Sequence, residues 1–169
     1  SKYSTLGGLR SAGMTMAYEV LLAVAVASIM LTTGSLSIAG IVQFQQQAGM
    51  WLLFVQPFAF ILFMIAAVAS VERNPMDLTE AESELVSGWK TEYGGVYFSI
   101  TLLAEYVKLL ITVILTAALF LGGWTDFGGE IGFVIKIILL VMLMMYIRAT
   151  ALRYRIDQLL RDLWAKLIP

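Results

Sequence analysis

Histidine and cysteine are both missing from these 169 residues. Without cysteine, the chain can form no disulfide, no iron–sulfur ligation and no thiolate metal site. Without histidine, imidazole metal ligands, haem ligation through histidine and a Ser/His triad drop out too. No metal site is expected, and any proton chemistry falls to carboxylates, lysine, tyrosine or water. Charge is scarce as well. Charged residues make up 14% of the chain, against about 25% in a typical soluble domain. The formal net charge is −1, so no nucleic-acid partner is expected. What remains is apolar, at 60% hydrophobic residues and a mean hydropathy of +0.85. This is the composition of an integral membrane protein, all-α and multi-pass. Ser1 to Gly13 lacks a short apolar core with a cleavage site, so no signal peptide is evident. The chain starts without Met and stops at Pro169, and it is expected to be a fragment.

The scarce charge is concentrated. Residues 72–93 form a polar island between two very apolar segments, with Glu72, Asp77, Glu80, Glu82, Glu84 and Glu92 against Arg73 and Lys90. Half of the chain's twelve acids lie there. Pro75 pushes Asn74 toward an extended conformation and should end the preceding helix. Asp77-x-x-Glu80 and Thr79-x-x-Glu82 both have capping-box spacing, which predicts a short helix that Gly88 can stop. Such a helix puts Glu80 and Glu84 on one face and turns Glu82 away. A solvated acidic loop is one reading. The interleaved Leu78, Ala81, Leu85, Val86 and Trp89 favour another, a carboxylate cluster against an apolar surface, where proton handling is expected.

Along the chain, four stretches are apolar enough to span a bilayer core, at about 14–33, 50–70, 96–121 and 131–147. Residues 1–13 read as a loop or short surface helix. Glu19 stands near the start of the first span, either reaching back to the interface or buried as a titratable site. Residues 34–49 read as an uncharged loop rich in Gly, Ser and Gln. Pro57 predicts a kink in the second span, by freeing a carbonyl near Leu53 that a neighbouring helix or water must satisfy. The third span carries Glu105 and Lys108 on one face, three residues apart. Each costs about 2.5–3.5 kcal/mol if central, which mutual pairing or a water-filled interior would offset. Lys136 lies one or two turns into the fourth span, where it can snorkel or face inward. The tail, 148–169, is basic, with Arg148, Arg153, Arg155, Arg161 and Lys166 tempered by Asp157 and Asp162. Its apolar residues recur at helical spacing, which predicts an amphipathic surface helix. Basic residues cluster at the start, in the acidic loop 72–94 and in the tail, while the other two loops hold none. That puts those three segments on the cytoplasmic (or matrix) side of a single membrane domain.

Several runs together resemble one family. They are Lys-Tyr-Ser-Thr-Leu-Gly-Gly-Leu-Arg at 2–10, Ala-Tyr-Glu-Val at 17–20 and Arg-Asn-Pro-Met-Asp-Leu-Thr-Glu-Ala-Glu-Ser-Glu-Leu-Val-Ser-Gly at 73–88. Thr91-Glu-Tyr, Ala104-Glu-Tyr, Gly122-Gly-Trp, Ile147-Arg-Ala, Arg153-Tyr-Arg-Ile-Asp-Gln and Trp164-Ala-Lys-Leu-Ile-Pro continue in order. The family is the quinone-pocket membrane subunit of respiratory complex I (NADH:quinone oxidoreductase). Related subunits occur in membrane-bound [NiFe] hydrogenases and deazaflavin-linked dehydrogenases. The resemblance covers nearly the whole chain and implies helices four to seven of an eight-helix protein.

The resemblance further implies a role in coupling quinone reduction to proton (ion) translocation and in anchoring the peripheral arm, with no catalysis by the chain alone. Arg73, Asp77, Glu80, Glu82, Glu84 and Glu92 would line the quinone chamber and coupling loop. Glu19, Glu105 and Lys136 would continue a proton path into the membrane. Arg148, Arg153, Arg155 and Asp157 would dock cytoplasmic partners. Implied partners are antiporter-like and small membrane subunits, peripheral iron–sulfur and quinone-site subunits, and lipid, in a prokaryotic plasma membrane or a mitochondrial inner membrane. Quinone, or an analogous lipid-soluble acceptor, is the implied substrate. Met76, Leu152 and Lys108 depart from the family pattern, where Phe, Pro and a neutral residue are usual. These departures leave open the equivalent hydrogenase or deazaflavin-linked protein. A stand-alone transporter would need inverted repeats and broken mid-membrane helices, and neither is evident.

Overall fold

A computed structural model describes residues 2–71, 94–125 and 128–150, with Arg161 and Ala165. The described residues form six helices and no strand: α1 (Lys2–Thr33), α2 (Ile38–Ala48), α3 (Leu52–Val55), α4 (Pro57–Ser70), α5 (Val96–Phe120) and α6 (Glu130–Thr150). The chain is an all-α, multi-pass membrane protein. Among the described residues, three stretches are long and apolar enough to cross a membrane: Ser11–Thr33 in α1, Val96–Phe120 and Glu130–Ile147. Residues 2–13, within the stretch expected as a loop or short surface helix, continue α1 instead.

Helices α1 and α4 form the tightest pair. Met14, Ala17, Tyr18 and Leu21 of α1 are buried with Ala66 and Ala69 of α4, while Ala25 and Ile29 join Ala59 and Phe63 in a second cluster. The start of α1 thus meets the end of α4, so the two run antiparallel. The α1 residues recur every three or four positions, one face of a helix. Alanine on both helices removes the bulk that would hold the backbones apart, which is how helices associate in lipid. Phe120, at the end of α5, closes the core. Its ring is 5.2 Å from that of Phe60 and 5.5 Å from that of Phe63.

The second expected span departs from the reading as one kinked helix. The chain makes one turn in α3, breaks at Gln56 (φ −132°, ψ 67°) and restarts with Pro57 in the first turn of α4. The cause is local. Proline excludes the residue before it from the helical region, and it suits a helix start, where its missing N–H is not needed. At 1.5 Å per residue, the fourteen residues of α4 extend about 21 Å, short of the roughly 30 Å of a hydrocarbon core. The uncharged loop expected at 34–49 is also partly helical, because Ile38–Ala48 forms α2 and buries Ile41, Val42 and Gln45.

Candidate functional site

Three groups of polar side chains make contacts between helices among the described residues. The first joins α1 to α5. Tyr18 is buried against Met14, Leu21, Ala66 and their neighbours. Lys108 reaches it from 90 residues away: its Nζ donates to the Tyr18 hydroxyl at 3.4 Å and sits 5.4 Å from the ring centroid. Both contacts suit an ammonium, which offers three N–H donors and is attracted to an aromatic face. Glu105 lies one turn before Lys108 on the same side of α5 and is half-buried. Glu19 follows Tyr18 in sequence and is exposed, about 100° further round α1. Two candidate carboxylates therefore lie within a turn of one tyrosine–lysine contact. By helix rise, Glu19 is about 12 Å beyond Ser11 and Glu105 about 14 Å beyond Val96.

The second group is at the other end of α5. Lys136 is buried, and its Nζ donates to the carbonyls of Leu121 (2.5 Å) and Gly123 (3.1 Å) and lies 5.2 Å from the Trp51 ring centroid. A helix C-terminus presents carbonyls without intrahelical partners and carries partial negative charge, so a cation there is stabilising. Gln45 completes the same cap. Its Nε2 donates to the carbonyls of Ala118 and Leu119, both at 3.2 Å, while its Oε1 accepts from the N–H of Gly122 (3.0 Å) and of Leu52 (3.1 Å). One buried amide thus joins α2, the start of α3 and the turn after α5. That turn needs glycine: Gly123 has φ +58°, and a Cβ there would stand 2.9 Å from Val42 Cγ2. Gly123→Ala is therefore expected to cost about 1–3 kcal/mol through left-handed strain and this overlap, read as a lower thermal midpoint of the assembled protein.

The third group surrounds the break at Gln56. Its Nε2 donates to the Ser28 carbonyl (3.2 Å) and to Thr32 Oγ1, and its Oε1 accepts from Ser28 Oγ (3.3 Å). The side chain at the break is thereby tied to α1.

Of the residues singled out in the sequence, Glu19, Glu105 and Lys136 are described. The first two lie by the Tyr18–Lys108 contact, and Lys136 caps the far end of α5. Arg148 lies within α6. Arg73, Asp77, Glu80, Glu82, Glu84, Glu92, Arg153, Arg155 and Asp157 lie outside the described residues, as do the expected acidic-loop helix and tail helix. Sequence reasoning passed over Tyr18, Gln45 and Gln56. For Tyr18 and Gln56 the one signal was a phenol or amide within an otherwise apolar stretch, whereas Gln45 stands in a Gln-rich run with no such contrast. No group of three or more metal-ligating side chains occurs among the described residues.

The model of the NADH dehydrogenase family matches residues 1–169. The chain is similar to the H subunit of NADH-quinone oxidoreductase from Bacillus cytotoxicus, with 46% identity over 175 residues covering 100% of the chain and 52% of the relative. It is also similar to one NADH-quinone oxidoreductase H subunit from Geobacter metallireducens and one from Geobacter sulfurreducens. Each of these is 44% identical over 172 residues covering 100% of the chain and 49% of the relative. The chain therefore spans about half the length of these curated relatives.

Proposed function

From the premise that this chain belongs to the NADH dehydrogenase family, we propose that it forms part of the quinone-chamber and coupling subunit of a respiratory complex I-like oxidoreductase. In this reading quinone is bound and reduced at the interface with peripheral iron–sulfur subunits, and the acidic loop 72–94 lines the chamber. Clustered carboxylates in a low dielectric cannot all ionise, so they titrate as a coupled set. Reduction or movement of a nearby quinone shifts that set, and Glu92, Glu19 and Glu105 carry the shift into the membrane. The cytoplasmic arginines Arg148, Arg153 and Arg155, with Asp157, dock the peripheral arm. The membrane is a prokaryotic plasma membrane, in keeping with the bacterial relatives.

The observation that supports this most is the Tyr18–Lys108 contact. It places Glu19 and Glu105 within a turn of one polar seam between two membrane helices. Intramembrane ionisable residues are costly and usually mark an ion or proton pathway. Lys136 fits the path less well, because its ammonium is engaged by two carbonyls of the α5 cap.

The test uses the whole complex in reconstituted vesicles, with assembly checked on native gels. Gln substitutions at Glu80, Glu82, Glu84, Glu92 and Glu105 are compared for quinone reduction and proton uptake. At least one loop substitution should lower coupled turnover about tenfold, equivalent to about 1.4 kcal/mol, while assembly persists. Glu105→Gln should lower pumping at least as much as electron transfer. Normal rates and normal pumping in all five would leave the acidic loop as a docking surface only.

Topology gives a separate check. Cysteines introduced at Gln46 and Gly128 should label from outside, and one at Ser87 from the cytoplasm. Labelling of Ser87 from the same side as Gln46 would remove the acidic loop from the peripheral arm.

A further inference from the structure

We infer that the break between α3 and α4 is the docking site of a further membrane helix of the same subunit, one that brings a hydroxyl or amide donor to the carbonyls of Leu53, Phe54 and Val55. The inference rests on family membership and is independent of the quinone-chamber reading. A helix that stops leaves its last carbonyls without partners, and a helix that starts leaves its first N–H groups without them. Both happen here within a few residues. Pro57 has no N–H to offer Leu53, and Gln56 belongs to neither helix. The carbonyls of Leu53, Phe54 and Val55 and the N–H groups of Phe58 and Ala59 therefore have no backbone partner among the described residues. The nearest side-chain amide is engaged elsewhere, since Gln56 binds Ser28 and Thr32 of α1.

Depth makes these groups consequential. The fourteen residues of α4 carry the chain about 21 Å from its Ser70 end, so the break falls inside a hydrocarbon core of roughly 30 Å and not at its surface. The break is also uncovered: Phe54 is 68% exposed and Phe58 82%. Lipid does not fit there, because hydrocarbon supplies no donor, and non-helical backbone persists at such depth only where protein or water meets it. Water suits the place poorly. Gln56 aside, every side chain from Leu52 to Ile65 is apolar, and the exposed Phe54, Val55 and Phe58 stand around the break. A protein helix meets both needs. Its apolar side chains pack on the two phenylalanines, and a hydroxyl or amide reaches the carbonyls, as in other interhelical contacts within lipid. The subunit has the chain to provide one. About half of each curated relative lies outside the matched region, enough for several spans of about 20 residues.

The experiment uses the full-length subunit in the assembled complex, in native membranes. The photoreactive p-benzoylphenylalanine replaces Phe54 or Phe58, one at a time, and the peptide attached on irradiation is identified by mass spectrometry. Both positions should attach to one membrane segment of this subunit that lies outside residues 1–169. A Ser, Thr, Asn or Gln should stand within one turn of the attachment. Attachment to lipid alone, to another subunit or within residues 1–169 overturns the inference, and so does a segment without such a donor. Either position carries the test if the other variant fails to assemble. Replacing the donor by alanine should lower the thermal midpoint of the complex by several degrees. An unchanged midpoint overturns the hydrogen-bonding role.

Discussion

Gln45→Leu is expected to prevent stable assembly of this membrane domain. Leucine has nearly the same volume and suits the surrounding apolar cluster, so packing alone predicts little loss. Hydrogen bonding predicts the opposite. The amide satisfies the carbonyls of Ala118 and Leu119 and the N–H groups of Leu52 and Gly122. Each buried backbone group left without a partner costs about 1–3 kcal/mol, and no water enters the apolar region cheaply to replace one. Four such groups approach the roughly 5–15 kcal/mol that separates folded from unfolded domains. Gln45→Glu should fail nearly as badly, since an ionised carboxylate accepts from the two N–H groups but cannot donate to the two carbonyls. The measurement is the amount and thermal midpoint of assembled complex on native gels. A Gln45→Leu complex that accumulates and melts like wild type would show that the amide is dispensable.

Lys136→Met carries the second large effect, and it separates two roles for one residue. As a cap, the ammonium satisfies the Leu121 and Gly123 carbonyls at the negative end of α5. Hydrogen bonds to a charged group contribute about 1.5–3 kcal/mol, and a cation at a helix C-terminus up to about 2 kcal/mol when partly buried. These overlap, so a loss of about 2–4 kcal/mol is expected, seen as a lower thermal-inactivation temperature of the purified complex. The protons pumped per quinone reduced, measured on complex that remains assembled, should be unchanged. Lys136→Arg should recover much of the stability, because the charge and donors persist. Unchanged thermal stability with pumping lost would return Lys136 to the proton path.

Apolar helices were legible because lipid demands long apolar stretches, though α1 begins at Lys2, twelve residues before the span read at 14–33. The third span, read as 96–121, is the helix Val96–Phe120, and the fourth, read as 131–147, lies within Glu130–Thr150. The second span was legible only in part. Pro57 announced a disturbance, but a kink and a break differ in whether the residue before the proline stays helical. Gln56 does not, and the Ser28 and Thr32 groups that receive its side chain lie more than twenty residues away. Helix α2 went unseen because short amphipathic segments with several glutamines look like loops until their buried face finds a partner. For the candidate site, residue types and spacing singled out Glu19, Glu105 and Lys136, but spacing within one helix cannot say what stands opposite. Spacing on α5 leaves Lys108 either a pairing with Glu105 or a water-filled interior, and its contact across the helices is with Tyr18 of α1.

Two kinds of information are therefore separable in this protein. The sequence alone determined that this is a membrane protein, the helical class, the absence of thiol and imidazole side chains, the family, and which few residues in the spans are ionisable. Composition and local periodicity suffice for most of these, because the cost of an unpaired polar group in lipid acts on each segment separately; the family follows from the order of the runs. The tertiary structure alone decided which polar groups meet: Tyr18 with Lys108, Gln56 with Ser28 and Thr32, and Gln45 and Lys136 at the cap of α5. Such pairings depend on which helix faces which and at what height, and those are set by the alanine-lined contact of α1 with α4 and by the seating of Phe120 against Phe60 and Phe63.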